Sequence, residues 1–480
     1  MLALHAWNLT CQPGLRRFRA ALGHPQHAQV MRMRSYGFVD GNALRTLPLT
    51  TWDDVAPQVD RMRQTGVGAT RLVPTSGSSA IRKLIPWTPE LGQEFGAAIA
   101  AWIGDTYARQ PALMDGVAYW SITPPPSSFT ESSAIPIGFD DDSAYLGGRW
   151  SALVSSTFAV DAARIRAAGE VGFLDETCRG LLLADNLRLI SAWHPSLVEV
   201  LLNRMHQRRE ELMLTLPRGQ RRRDLERIDW QDVTSLWPEL RLVSCWADGP
   251  AKAAGESLAA RMPGVHLQAK GLLATEGVVS IPFAGTHPLA ITSHVYEFRD
   301  DDGICWWPHE VAVGQEYEVI LTTGGHLRRY CLGDRVLVTE MLGATPCLRF
   351  LRRQNAVSDL AGEKLDETVI AHLLSQALPK SAGVALQPRA DHAGYRLVVP
   401  SDSRLDARTA AVAMESQLLT VHHYALARTL EQLQPLEAYP VSETSAEILM
   451  LLAAWRRQRL GDVKPSVCLP AEFPLQRRLS

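Results

Sequence analysis

The segment from Arg241 to Thr275 constrains the fold more strongly than any other part of the 480-residue sequence. Residues 242–246 form an apolar, strand-like run, residues 251–262 are strong helix formers, and residues 265–274 form a second apolar run. A strand–helix–strand order predicts two parallel strands, and the ligands of parallel sheets bind beyond the carboxyl ends of the strands. The turn at residues 274–277 is therefore expected at a ligand site.

The rest of the chain alternates between helical and extended patterns, which indicates an α/β architecture. Residues 278–350 contain shorter segments that are richer in strand signals, and longer helices and strands return after Arg353. We therefore expect a domain boundary at residues 351–356. The clearest elements are helices at Pro89–Arg109 (capped by Thr88), 195–213 and Glu367–Leu378, and strands at 116–123, Tyr317–Thr323, 335–340 and Tyr395–Val399.

The composition is that of an ordinary globular protein, with 46% hydrophobic and 21% charged residues. A formal net charge of −2 gives no reason to expect nucleic acid or an anionic membrane as a partner. The one basic run lies at residues 218–227. It is either a solvated helix end or a patch that binds an anion or a protein partner.

The cysteines and the distribution of apolar residues indicate the cellular compartment in which the protein is expected. The seven cysteines are scattered, odd in number and free of any C-x-x-C pair, which argues against a zinc site or a disulfide framework and favours a reducing cytoplasm. The N-terminus shows no secretory pattern, and no apolar run approaches the roughly 18–20 residues that span a bilayer. We expect a soluble cytoplasmic monomer.

A loop at residues 74–83 (PTSGSSAIRK) is rich in hydroxyl groups, contains one glycine and ends in Lys83. The hydroxyls and backbone N–H groups of such a turn can surround phosphate oxygens, and the lysine adds a positive charge. It is not the G-x-x-x-x-G-K-[ST] loop of common nucleotidases, because no Gly-Lys-[Ser/Thr] follows. The alternative is a plain surface turn.

Two later motifs carry complementary chemistry. Thr275 and Glu276 place a hydroxyl beside a carboxylate, which suits phosphate contact by the first and Mg²⁺ ligation by the second; the alternative is an acidic turn. Asp334 follows a glycine at a predicted turn, where an ionised carboxylate can accept hydrogen bonds from both hydroxyls of a ribose. The alternative for Asp334 is an ordinary hairpin turn.

In this order, the motifs resemble the auxin-responsive acyl-acid amido synthetase family (Gretchen Hagen type), on its bacterial side, within the acyl-adenylate-forming, firefly-luciferase-like superfamily. Ala80 stands where the superfamily loop often has a second glycine, and Leu272 replaces the aromatic residue that stacks on adenine. The matching motifs, spread over roughly residues 70–465, are Ser76-Gly77-Ser78-Ser79 with Lys83 and Pro86, Thr275-Glu276, Tyr317-Glu318, Thr322-Thr323, Arg329-Tyr330 with Gly333-Asp334, Arg353 with Asn355, Glu363-Lys364 and Lys464-Pro465.

The resemblance implies a large N-terminal domain at residues 1–350, built of stacked α/β sheets with a β-barrel-like subdomain at about 278–350. A hinge at 351–356 then joins a smaller, mobile α+β C-terminal domain at 357–480. The implied reaction uses ATP and Mg²⁺ to convert a carboxylic acid into an acyl-adenylate, releasing pyrophosphate, and then transfers the acyl group to an amine, that of an amino acid, releasing AMP. The alternatives are a ligase with a thiol acceptor such as coenzyme A, and a nucleotide-binding protein without catalysis.

The resemblance also assigns residues to roles. Lys464, Lys83 and Glu276 are expected to be catalytic, with Glu276 as the metal ligand. The expected nucleotide-binding residues are Ser76, Gly77, Ser78, Ser79 and Lys83 at the phosphates, Thr275 at the α-phosphate, and Tyr330, Asp334 and Arg353 at the ribose. For the acyl pocket we expect Trp120, Trp246 and His294; the tryptophans alternatively pack in the core, and His294 alternatively pairs with Glu297.

Overall fold

The computed structural model describes residues 2–75, 83–121, 133–138, 157–248 and 251–353, and, within 357–478, all residues except 359, 361–362, 364, 380–382, 392, 430–431, 457–459, 461–462 and 464.

The described helices and strands alternate along the chain, as the sequence predicts. The helices are α1 (Leu2–Leu22), α2 (Pro25–Ser35), α3 (Gly41–Arg45), α4 (Trp52–Thr65), α5 (Pro89–Arg109), α6 (Ala162–Leu183), α7 (Pro195–Gln207), α8 (Arg209–Thr215), α9 (Gln220–Arg227), α10 (Val233–Leu236), α11 (Lys252–Ala260), α12 (Glu367–Ala377), α13 (Ala407–Leu418), α14 (His422–Thr429) and α15 (Ser445–Trp455). The strands are β1 (Arg71–Pro74), β2 (Leu84–Trp87), β3 (Val117–Trp120), β4 (Leu187–Ser191), β5 (Leu242–Cys245), β6 (His266–Ala269), β7 (Leu273–Ala274), β8 (Gly277–Val278), β9 (Val295–Arg299), β10 (Cys305–Trp306), β11 (Glu316–Thr322), β12 (Tyr330–Leu342), β13 (Thr345–Arg353), β14 (Val357–Ser358), β15 (Leu365–Asp366), β16 (Ala385–Pro388), β17 (Tyr395–Val399) and β18 (Glu437–Pro440).

A parallel sheet with the strand order β3-β4-β5-β6 forms the centre of the N-terminal part. The predicted parallel pair is confirmed, since Leu242 lies opposite His266 and Cys245 opposite Ala269. The predicted second strand is too long, because β6 ends at Ala269 and the next residues leave the sheet. Strands β7 and β8 then form a separate antiparallel hairpin.

Helix α5 has the predicted bounds, Pro89–Arg109. The Thr88 hydroxyl accepts the backbone N–H of Leu91 at 3.1 Å, and Pro89 occupies the first turn, where its missing N–H costs nothing. The helix buries most of its length, including two carboxylates, Glu94 and Asp105, among mainly apolar residues. The helix predicted at 195–213 is instead two helices that meet at Arg208.

An antiparallel sheet with the strand order β10-β9-β11-β12-β13 occupies the predicted β-rich region. Its central strands are longer than the sequence signals alone suggest, since β12 begins at Tyr330 and continues to Leu342. The register of β12 shifts on both sides, which marks bulges that bend the strand.

The C-terminal part contains a three-stranded sheet, β16-β17-β18, packed against α13, which in turn packs against α12. Its own hydrophobic core is drawn from residues 365–436. Another core joins side chains from both parts of the chain, such as Leu182 with Ile448 and Phe473. A domain division at residues 351–356 remains a proposal, and residues 354–356 lie outside the described residues.

The basic run at residues 218–227 lies mainly in α9 and binds backbone carbonyls of the protein itself. Arg221 donates to the carbonyls of Leu182 and Leu236, and Arg222 donates to the carbonyl of Leu216. These contacts give part of the run a structural role. Over the described residues, no helix combines the length and the apolar character that crossing a membrane requires.

Candidate nucleotide and substrate site

Thr275 and Glu276 form the tip of the β7–β8 hairpin. Ala274 pairs with Gly277, so the two motif residues are the two residues of the turn. Glu276 is 2% exposed, whereas Thr275 is partly exposed. The turn thus places a buried carboxylate beside a hydroxyl, and the role of Glu276 as a metal ligand stays a prediction.

His294 fixes the second strand of this hairpin. Its Nε2 accepts the backbone N–H of Val278 at 3.0 Å, so the ring proton lies on Nδ1, which is 2.8 Å from the Glu94 carboxylate. A Cβ on Gly277 would lie 2.9 Å from Nε2, so only glycine permits this close approach. With both ring nitrogens engaged and the side chain buried, His294 supports the hairpin, and its role in a substrate pocket stays a prediction.

The alternative pairing of His294 with Glu297 is wrong. Glu297 instead accepts two hydrogen bonds from the Arg329 guanidinium, at 2.8 and 3.0 Å, and one from Arg45 at 3.1 Å. Two arginines therefore neutralise the Glu297 carboxylate inside the protein.

Glu94 connects the hairpin to two other parts of the site. Besides His294, its carboxylate accepts the Tyr36 hydroxyl at 2.6 Å and the backbone N–H of Gly324 at 3.0 Å. Burial would raise the pKa of Glu94, but the hydrogen bonds from His294, Tyr36 and Gly324 outweigh burial and lower it. An ionised Glu94 thus joins α5, the hairpin and the turn after β11.

The Thr322-Thr323 motif and Arg329 shape that turn. The Thr322 hydroxyl accepts the backbone N–H of Arg329 at 2.9 Å, and the Thr323 hydroxyl accepts that of Gly325 at 3.2 Å. Arg329 has a φ of 45°, a conformation that a non-glycine residue adopts only when its surroundings hold it there. These residues position Tyr330, the first residue of β12.

Lys83 and Tyr330, 247 residues apart in sequence, meet in the structure. The Lys83 ammonium donates to the Tyr330 hydroxyl at 3.1 Å. The Lys83 carbonyl accepts the backbone N–H of Thr75 at 3.0 Å, which closes the base of the predicted phosphate loop. Tyr330 is the strand partner of Leu321, whose side chain approaches Gly277 of the hairpin. The loop base, the hairpin and β12 therefore share one location.

Asp334 and Arg353 lie opposite each other on β12 and β13. Asp334 is almost completely buried, and it lies four residues beyond Tyr330, within the bulge between Cys331 and Arg335. The backbone thus brings together two of the three residues expected at the ribose, although the Arg353 side chain lies outside the described part of the structure.

Trp120 and Trp246 both lie at the carboxyl edge of the parallel sheet. Trp120 ends β3 and packs its ring 5.8 Å from Trp7, while Trp246 follows β5 and packs 5.6 Å from Phe350. Both are buried, as core packing requires, and both occupy the edge where parallel sheets bind ligands. Their role as pocket walls stays a prediction.

Five of the expected site residues, namely Ser76, Gly77, Ser78, Ser79 and Lys464, lie outside the described residues, and their roles stay predictions. Sequence reasoning missed two described residues. Glu94 had a signal, a carboxylate among the apolar positions of α5, and Lys270 had another, a lysine directly after a strand. Lys270 is 4% exposed and lies between three tryptophan rings.

Two family models match this chain. The model described as the GH3 family N-terminal domain matches residues 44–225, and the model described as the GH3 family central domain matches residues 289–353. Together they cover just over half of the chain. The chain belongs to the GH3 family.

Curated relatives and a solved structure agree with this assignment. The putative indole-3-acetic acid-amido synthetase GH3.10 of Oryza sativa subsp. japonica is 27% identical over 35% of this chain and 37% of its own length. The probable indole-3-acetic acid-amido synthetase GH3.9 of the same organism is 39% identical over 16% of this chain and 17% of its own length. The chain thus matches well under half the length of these relatives.

The structure of AtGH3.15 acyl acid amido synthetase in complex with 2,4-DB matches with a TM-score of 0.74 at 17% identity, over 96% of this chain and 92% of that one. This similarity confirms the predicted α/β fold.

Proposed function

We propose that this GH3 family member is an acid–amino acid ligase, which adenylates a carboxylic acid with ATP and then transfers the acyl group to the amine of an amino acid. The observation that carries the proposal is the convergence of Lys83 and Tyr330 with the Thr275–Glu276 hairpin. The relatives named as indole-3-acetic acid-amido synthetases support the reaction class and suggest an aromatic acid as substrate.

In this proposal the chain supplies charge and position. Lys83 binds the ATP phosphates, and the Tyr330 hydroxyl holds its ammonium in place. The Thr275 hydroxyl donates to the α-phosphate. Asp334 accepts the ribose hydroxyls, and Arg353 on the neighbouring strand lies beside it. Positioning of this kind is the main contribution a protein makes to phosphoryl transfer.

The residues present fit Mg²⁺ as part of a nucleotide complex. Over the described residues, no three His, Cys, Asp or Glu side chains cluster as a metal site. Glu276 alone offers one carboxylate beside a hydroxyl, and Mg²⁺ commonly combines one or two carboxylates with phosphate oxygens and water. When bound, the ion neutralises charge on the phosphates during displacement of pyrophosphate.

The test of adenylation is acid-dependent exchange of pyrophosphate into ATP. We expect exchange with at least one acid from a panel that includes indole-3-acetate, and we expect Glu276→Gln to lower it by about 100-fold or more. The matched control is Glu256→Gln, an exposed carboxylate on α11, which should leave exchange unchanged. Tight ATP binding without exchange for any acid would favour a nucleotide-binding protein without catalysis.

A second assay separates the amide-forming ligase from the thiol ligase. With the acid that supports exchange, amide product should form from an amino acid, while coenzyme A should give no thioester. Thioester formation without amide would assign the chain to the alternative class.

We also propose that the chain acts as a monomer in the cytoplasm. The seven free thiols, which the structure shows without disulfides, suit a reducing compartment.

A further inference from the structure

The carboxyl edge of the parallel sheet carries an aromatic and cationic row. Trp120 ends β3, Trp193 and Trp246 each follow a strand by one or two residues, and Lys270 directly follows β6. The strand register places Ser191 opposite Trp120 and Ser244, so these side chains share one face, and residues 193, 246 and 270, two positions further along their strands, share it too.

Two rings of this row, together with Trp102, surround the ammonium group of Lys270. Its Nζ lies 4.8 Å from the centroid of Trp193, 5.6 Å from that of Trp102 on α5, and 5.8 Å from that of Trp120. Rings at these distances attract a cation through the negative faces of their π systems. Trp193 is only partly buried, so this tryptophan cage, formed by Trp102, Trp120 and Trp193, reaches the surface on one side.

The same face contains two buried polar atoms without a partner among the described residues. These are the Ser191 hydroxyl, in a residue 1% exposed, and the indole N–H of Trp120, in a residue 9% exposed. The two residues are direct neighbours across β3 and β4. Buried hydroxyl and N–H groups normally have partners, and leaving them unpaired costs free energy, so a ligand that offers acceptor oxygens would satisfy both.

We propose that Lys270 binds the carboxylate of an aromatic acid substrate, with the Ser191 hydroxyl and the Trp120 indole N–H as additional donors. The aromatic ring of the substrate then packs against the tryptophan cage. This inference rests on the proposed function, because it names the acid that is activated. One cation and two neutral donors fit the two oxygens of a carboxylate, and the flat rings fit an aromatic body. Lys270 is then a specificity-determining residue for the acid.

Isothermal titration calorimetry without ATP tests the proposal directly. The probes are phenylacetate and 1-naphthaleneacetate, each compared with its primary amide, which keeps the shape but lacks the charge. The wild-type chain should bind at least one acid about 10- to 100-fold more tightly than its amide, the range expected for a hydrogen bond to a charged group. Lys270→Met should remove this preference, while Lys252→Met, an exposed lysine on α11, should keep it.

A second variant separates ligand binding from a structural role. Ser191→Ala removes a buried hydroxyl without a described partner, so a purely structural role predicts unchanged or higher stability and unchanged acid binding. Our proposal predicts unchanged stability but about 2- to 10-fold weaker binding of the acid. Equal binding of acid and amide by the wild type, no binding of either acid, or a preference that survives Lys270→Met would each overturn the proposal.

Kinetics then distinguish failure of this inference from failure of the proposed function. With an acid that supports pyrophosphate exchange, Lys270→Met should raise KM about 10- to 100-fold and change kcat by less than about threefold, because the lost contact is made in the bound ground state. Exchange with an unchanged KM would contradict the role of Lys270 and leave adenylation standing. Acid binding that needs Lys270, without exchange for any acid, would contradict adenylation and leave the binding site standing.

Discussion

Replacing Glu94 by glutamine tests the connection between α5, the hairpin and the turn after β11. The buried carboxylate accepts bonds from Tyr36 on one oxygen and from His294 on the other, with the Gly324 N–H at 3.0 and 3.1 Å from both. Glutamine keeps the shape but has only one acceptor oxygen. Where its amide nitrogen replaces the other oxygen, an N–H group faces the N–H donors of His294 or Gly324. Hydrogen bonds to a charged group contribute about 1.5–3 kcal/mol each and neutral ones about 1, so we expect a loss of about 2–4 kcal/mol.

The loss should depend on pH. The pKa of Glu94 is lowered in the folded chain from its ordinary value of 4.5, so its stabilising contribution is complete above that value and disappears as the pH falls through the folded pKa. The difference in free energy of unfolding between wild type and Glu94→Gln should therefore be largest at neutral pH and shrink below about pH 4.5.

Urea unfolding at a series of pH values measures both effects. Glu256→Gln, on an exposed carboxylate, is the matched control and should change stability by less than about 1 kcal/mol. A Glu94→Gln chain as stable as the wild type at neutral pH, or a difference that persists unchanged in acid, would refute the reasoning.

Further predictions concern the surroundings of the site. Arg329→Met should lower the free energy of unfolding by about 3–5 kcal/mol, because it leaves buried Glu297 without its bidentate partner; a loss below about 1 kcal/mol in urea unfolding would contradict this. Gly271→Ala should destabilise more than Gly264→Ala, since both have positive φ but only the first brings a Cβ to 2.7 Å from a backbone oxygen; equal unfolding midpoints would contradict the stated clash. Burial raises the pKa of three cysteine thiols to about 12, namely those of Cys11, Cys178 and Cys245. Peptide mapping after brief thiol alkylation at pH 8 should therefore find little modification of these cysteines, and rapid labelling in the native chain would contradict this.

The sequence predicted correctly those secondary-structure elements that residues close to them in the chain determine. Helix α5 begins at the predicted residue because a capping threonine and a first-turn proline fix its start. The parallel pair β5–β6 followed from the strand–helix–strand order. The Thr275–Glu276 turn was located correctly, but as the tip of a hairpin, because Gly271 adopts a φ of 76° after β6 and the chain leaves the parallel sheet.

Contacts between distant residues could not be predicted in this way. Glu94 and His294 are 200 residues apart, and neither alone indicates the other. Nothing in the sequence indicates that the two ring nitrogens of His294 form hydrogen bonds with Glu94 and Val278. The position of Lys270 beside Trp120 and Trp193 depends on the register between strands, which the sequence does not specify. The resemblance to a family supplied one such distant contact, because it assigned Lys83 and Tyr330 to one site and the structure brings them together.

The most direct test of the account is a crystal structure of the chain with α,β-methylene-ATP and Mg²⁺. The account predicts that the phosphates lie between Lys83 and the Thr275 hydroxyl, that the metal contacts Glu276, and that the ribose hydroxyls contact Asp334. A nucleotide bound elsewhere, with these four side chains contacting only protein and solvent, would contradict the claim that they form one adenylation site.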